Sequence, residues 1–167
     1  NLYETIASFG GINMYIGSSD AGKTVDELEG LYDHSRDTLA YQLFYQHIGG
    51  LNYETMKKRI GRLEALLEEM FEKLELLINS RKGNLILEEM NQIFDYARKS
   101  EPEPAGMKRL FLNSLLNLYW SCLEEADRRS FSIDKIIEVT NCTDIDQLEN
   151  MVLIQAEEII RLDRKST

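Results

Sequence analysis

The 167-residue chain is 43% hydrophobic and 29% charged, proportions of a globular protein with room for a sizeable core. Its formal net charge of −10 repels phosphate backbones, so these residues by themselves are not expected to grip nucleic acid. No apolar run reaches the roughly 20 residues that a membrane-spanning helix requires, and no secretory signal opens the sequence.

The chain starts at Asn1 in mid-pattern, as an excised piece of a longer protein would. Residues 2–9 read as the end of a helix, and Gly10-Gly11 as a turn. Residues 12–16 (Ile-Asn-Met-Tyr-Ile) alternate apolar and polar side chains among β-formers, which predicts a single strand. Helical periodicity dominates from Val25 onward. A helix is expected over 25–46, with Val25, Leu28, Leu31, Tyr32, Leu39, Leu43 and Phe44 as its apolar positions, ended by Gly49-Gly50. A long helix over 54–79 carries Leu63, Leu66, Leu67, Met70, Phe71, Leu74, Leu77 and Ile78 on one broad face. The next covers 85–99, and Glu101-Pro-Glu-Pro104 breaks it, because proline cannot continue a helix. Further helices are expected over 105–126, over 133–139 behind Ser132, and from Thr143, as N-cap, to about residue 161. The fold class is therefore mainly α: an array of six or seven helices behind a small α+β remnant with one strand.

One stretch has a chemical spelling. Gly17-Ser-Ser-Asp-Ala-Gly22-Lys23-Thr24 fits G-x-x-x-x-G-K-S/T, the loop that cradles polyphosphate with its amides, its lysine and a Mg²⁺-binding hydroxyl. That chemistry needs a parallel sheet and normally a second strand ending in a metal-binding Asp, and nothing after Thr24 reads that way. Thr24-Val-Asp-Glu27 also spells a capping box, which places Asp26 and Glu27 at the positive helix end that phosphates would occupy. Gly17, Gly22, Lys23 and Thr24 are accordingly read as a coincidental match, with Gly22 and Lys23 in an exposed loop and Thr24 as a helix cap.

The same residues, read more widely, resemble a known family. "YIGSSDAGKTVDELEGLYDHSRDTLAYQLFYQHIGG" is similar to the middle region of AraC-type bacterial transcriptional regulators, both receiver-linked response regulators and membrane-sensor versions. In that family a degenerate GGDEF-like domain ends in a strand, a variable loop, a helix and a Gly-containing turn. Ile16-Gly17-Ser18 matches the strand end and Val25 and Leu28 the helix start. Tyr32, Ser35, Thr38 and Leu39 match the helix core, and Phe44 and Gly49 its end and turn. The departures are Leu31 for the usual Ser, and Ser35 and Thr38 for small alanines. The helical remainder is similar in pattern and length to the segment those regulators place before their DNA-binding domain. Ser8 to Gly11 (Ser-Phe-Gly-Gly) lacks the Asp-Glu-Phe of a working cyclase signature.

The resemblance implies residues 1–50 as the end of a degenerate GGDEF-like domain and 51–167 as a helical signalling linker. It implies a non-catalytic relay in a cytoplasmic two-component regulator. Its partners would be an adjacent receiver or sensor domain and a DNA-binding domain of the same chain, with no membrane contact and no direct nucleic-acid contact from these residues. The rival readings are a free-standing helical protein-interaction module and a P-loop nucleotide-binding fragment.

No catalytic residue, cofactor or metal site is expected elsewhere. Glu64, Glu68, Glu69, Glu72 and Glu75 read as a solvated helix face, since a di-metal bundle needs Glu-x-x-His pairs that His34 and His47 do not supply. Cys122 and Cys142 form no metal spacing and read as small packed groups in a reducing compartment. Leu63, Leu67, Met70, Leu74 and Leu77 read first as intramolecular core and second as a candidate dimer seam. Tyr119 is expected in the core and Trp120 partly exposed, with a ligand pocket beside them as the lesser reading.

Overall fold

A computed structural model describes residues 16–45, 50–57, 65–128 and 131–166. The fold is mainly α with a small sheet near the N-terminus, in two compact units, residues 1–61 and 62–167. The units divide between 61 and 62, whereas the sequence placed the division after 50. The predicted helix over 2–9, its turn, and most of the predicted strand lie outside the described residues.

In the first unit, β1 (Ile16–Ser18) and β2 (Gly50–Asn52) pair in parallel, with Gly17 opposite Leu51. Two strands therefore stand where one was expected, and Gly50 opens β2 instead of belonging only to a turn. Between them runs α1 (Leu28–Ala40), entered through a 3₁₀ turn, Val25–Glu27, and left through another, Tyr41–Phe44. The helix lies directly on β1 because Gly17 has no side chain. A Cβ built there would overlap the Ser35 carbonyl oxygen and sit 2.8 Å from the Leu39 nitrogen. Thr38, Tyr41 and Leu43 are buried, but Val25, Leu28 and Tyr32, which the periodicity counted among the helix's apolar positions, face solvent. After β2, Asn52 caps the short α2 (Tyr53–Met56) by accepting from the Glu54 N–H at 2.9 Å. The expected helix over 54–79 is represented by α2 and by α3 in the second unit.

The second unit is helical among its described residues. Its α3 (Ala65–Asn79) turns into α4 (Gly83–Ser100) through a Schellman motif. The Lys82 N–H donates to the Leu77 carbonyl at 3.2 Å and the Arg81 N–H to Ile78 at 2.9 Å, with Arg81 at φ 51°. Then come α5 (Pro104–Cys122) and the short α6 (Glu125–Arg128). They are followed by α7 (Asp134–Ile137), which runs into a 3₁₀ turn at Glu138–Asn141, and by α8 (Ile145–Ser166). Pro104 sits in the first turn of α5, where a missing N–H costs nothing, and Glu103 caps the free amides of Ala105 and Gly106. At α8 the cap is Asp144, not Thr143: its Oδ1 accepts from the N–H groups of Asp146 at 2.7 Å and Gln147 at 3.1 Å.

Phe111 of α5 centres the core. It stacks on Phe94 of α4 at 4.3 Å between ring centroids and meets Phe71 of α3 edge-on at 4.9 Å. Leu148, Val152, Ala156 and Ile159 of α8 complete the core. Polar ties run across the same helices. Arg98 of α4 binds Glu149 and Asp146 of α8, and Lys73 of α3 reaches the buried carboxylate of Glu89 on α4. The Lys108 ammonium of α5 donates to the carbonyls of Cys142 and Thr140.

The placement of Leu67 and Leu74 agrees with the first reading of their stripe, as intramolecular core, and not with the candidate seam. Both are fully buried inside this unit, since they share the α3 face of Phe71 and Ile78, so neither is available to a second copy. Met70 and Leu77 are half-buried at the edge of that face, and Leu63 lies outside the described residues.

Candidate functional site

The loop with the phosphate-binding spelling is closed by its own side chains. Gly17 is set by the approach of α1. Gly22 is set by Leu31, whose Cδ1 a Cβ at position 22 would overlap. Packing therefore accounts for both glycines. The Lys23 N–H, which a phosphate cradle would offer to its ligand, donates to Glu27 Oε2 at 2.8 Å. Glu27 does reach backwards as a capping box requires, but it ends on Lys23 instead of Thr24. Thr24 is extended (φ −134°, ψ 159°) and contributes its carbonyl, to the Glu27 N–H at 3.4 Å, with no side-chain cap. The cause is the 3₁₀ turn at Val25–Glu27, whose tighter winding displaces Glu27 relative to the α-helical geometry of the box. Asp26 and Glu27 stand in this first turn, so the local field is already negative where an anion would arrive.

A second polar constellation lies where both parallel strands end, the edge at which open α/β sheets bind ligands. Ser18 Oγ donates to the Leu51 carbonyl at 3.3 Å, and Asn52 Nδ2 donates to Ser18 Oγ at 3.0 Å. His34 of α1 lies flat on Tyr53 of α2, with centroids 3.8 Å apart and planes 5° apart. Lys57 bridges to Glu54 at 2.8 Å. Its ammonium lowers the Glu54 pKa, and Glu54 in turn raises that of Lys57. Burial, then the neighbouring Glu54 carboxylate, raise the pKa of Asp20. Asp20 Oδ1 and His34 Nδ1 are both sheltered from solvent without a hydrogen-bond partner among the described residues. No group of three metal-ligating side chains forms among the described residues. In the sequence His34 stood out only as lacking the spacing of a metal ligand, and this cluster was not gathered. Its members are scattered from Ser18 to Lys57, so no spacing announces them.

In the helical unit, a cavity of about 80 Å³, with room for a few water molecules, is lined by Arg81, Gly83, Ile86, Cys122, Ile160 and Asp163. Arg81 spans it, bonded to Asp163 at 3.4 Å and to the Ser121 carbonyl at 2.6 Å. Burial raises the thiol pKa of Cys122 and of Cys142, which suits packed groups better than nucleophiles. Tyr119 is buried, and Trp120 is 54% exposed with the Arg128 guanidinium 4.7 Å from its ring centre. Glu68, Glu69, Glu72 and Glu75 face solvent, and Glu64 and His47 lie outside the described residues.

No family model, curated protein or solved structure matches this chain. Among the described residues, no helix is long and apolar enough to cross a membrane.

Proposed function

We propose that the chain is the central, non-catalytic signal-relay domain of a bacterial AraC-type transcriptional regulator of the cytoplasmic response-regulator kind. It would pass a signal from an upstream receiver or sensor domain to a downstream DNA-binding domain. The observation that carries this function is the bond from the Lys23 N–H to Glu27 Oε2. It removes the phosphate cradle from a stretch whose remaining features, strand end, variable loop and helix, are those that resemble the family. The separate helical unit, with its own aromatic core, gives such a relay a rigid body to move.

Two measurements test this function. The gene downstream of codon 167 is expected to encode paired helix-turn-helix motifs, and a stop codon there would end the proposal. Calorimetric titration with Mg-ATP and Mg-GTP is expected to show no binding. Micromolar affinity that Lys23→Ala abolishes would establish the nucleotide-binding alternative instead.

A further inference from the structure

The cavity of the helical unit lies between helix ends of opposite polarity, an arrangement that neither the core nor the proposed function uses. Gly83, the first residue of α4, lines it. Lys82 at the cap position makes no side-chain cap bond, and the first turn of α4 holds no acidic residue. The positive end of this 18-residue helix therefore faces the cavity with no carboxylate from its own first turn. Cys122, the last residue of α5, lines the cavity as well. The adjoining Ser121 carbonyl is one of the four that a helix end leaves without intrahelical partners, at the negative end of the dipole. Asp163 of α8 stands close to it, since both bind the Arg81 guanidinium. Ile86 and Ile160, 0% and 7% exposed, add aliphatic wall.

We infer that this cavity is a receptor for a small zwitterion, an aliphatic α-amino acid about the size of alanine. The ligand carboxylate binds at the positive end of α4, on guanidinium N–H groups of Arg81 that Ser121 and Asp163 do not occupy. The ligand ammonium binds Asp163 at the negative end of α5. Arg81 can serve both states. Its side chain is 55% exposed, and its 3.4 Å bond to Asp163 is longer than the roughly 2.8 Å of a closed charge-assisted pair. An α-amino acid carries its two charges on one carbon, close together, as the cavity holds its own two. Simple ions fit worse. An anion meets Asp163 and the net charge of −10, and a cation meets Arg81 and the α4 dipole. Size narrows the class further. At roughly 10–15 Å³ per water-sized occupant, the cavity of about 80 Å³ admits about five to eight non-hydrogen atoms, which suits glycine, alanine or serine and excludes an aromatic side chain. The ligand side chain would lie against Ile86, Ile160 and the Cys122 thiol, which burial keeps protonated. So small a ligand binds weakly, with a dissociation constant on the order of 1 mM. The site belongs to the helical unit alone and is independent of the relay function proposed above.

Titrating the isotope-labelled full chain with L-alanine, read by backbone amide NMR shifts, tests it. The Gly83 amide is expected to shift saturably, with a midpoint on the order of 1 mM. Propionate lacks the ammonium and ethylamine lacks the carboxylate, and each should bind at least about tenfold more weakly. L-Phenylalanine, too large for the space, should not bind. Asp163→Asn keeps the shape without the charge, and Arg81→Gly keeps the left-handed turn without the guanidinium. Each should abolish saturation up to about 20 mM L-alanine. Thermal melts followed by circular dichroism check that both variants fold. If Arg81→Gly does not, Arg81→Lys, which keeps the charge and loses the planar fork, should weaken binding about tenfold. Absence of a saturable shift with L-alanine overturns the proposal. So does propionate, ethylamine or L-phenylalanine binding as tightly as L-alanine, or a titration that Asp163→Asn or the Arg81 variant leaves unchanged.

Discussion

Single atoms decide much of the first unit. The hydrogen of Gly17 is what lets α1 rest on β1, because a methyl group there meets a carbonyl oxygen and a backbone nitrogen that cannot swing aside. Gly17→Ala should destabilise this contact by about 2 kcal/mol, seen as an approximately thirtyfold faster amide exchange within α1. Gly22→Ala should cost less than about 1 kcal/mol, since the obstructing atom is the end of the Leu31 side chain. Equal effects would show that the clash at Gly17 is relieved by a shift of the strand. Titration at Lys108 is equally specific. Burial lowers its pKa from 10.5, so between the lowered value and 10.5 the unfolded chain binds more protons than the folded one. Its contribution to stability must then rise with pH across that window. Urea denaturation at stepped pH should show this rise as the difference between wild type and Lys108→Met, and a flat difference would contradict it.

At the scale of elements, the caps and clamps show what a sequence does and does not disclose. The break at Pro102 and Pro104 and the helices on either side of it were legible, because proline chemistry and a 3.6-residue period are local. The cap of α8 was misplaced by one residue, since Thr143 and Asp144 are both good caps and only the fold chooses between them. The strand β2 was missed because three residues, one of them glycine, carry no period, and only pairing with β1 makes them a strand. Clamps between helices are likewise invisible, as with Arg98, which joins α4 to α8 across about fifty residues of sequence. Arg98→Met should lower stability by about 1 kcal/mol in dilute buffer, and the loss should shrink in about 1 M salt. A loss insensitive to salt would assign the role of Arg98 to packing of its alkyl stem. The Schellman turn offers a sharper comparison. Arg81 occupies a left-handed position normally given to glycine and uses its guanidinium to hold Ser121 and Asp163. Arg81→Ala keeps the strain and loses the bonds, whereas Arg81→Gly loses both. Thermal melts should therefore rank Gly above Ala by about 1 kcal/mol.

At the scale of the molecule, the mainly α character followed from periodicity alone, but the division into units did not, because contact density is a property of the folded chain. Residues 62–167 carry their own aromatic core and are expected to melt cooperatively when expressed alone. Phe111→Ala, which empties the centre of the Phe71–Phe94–Phe111 cluster, should cost that unit about 3–5 kcal/mol. A broad, non-cooperative melt of the isolated unit would show that its core is incomplete. The candidate sites were the least legible part. The phosphate-loop spelling is a statement about residue types, and two glycines selected by packing are spelled like two selected by a phosphate. What separates the cases is the occupant of one amide. Glu27 sits four residues from the N–H it fills and behaves as a tethered competitor, present at an effective concentration of millimolar or more however far the solution is diluted. An incoming anion must displace that internal ligand before it gains any bond of its own. Position 27 thus fills from within the one amide that the spelling of the loop would have to offer, and the match in residue types carries no anion site with it.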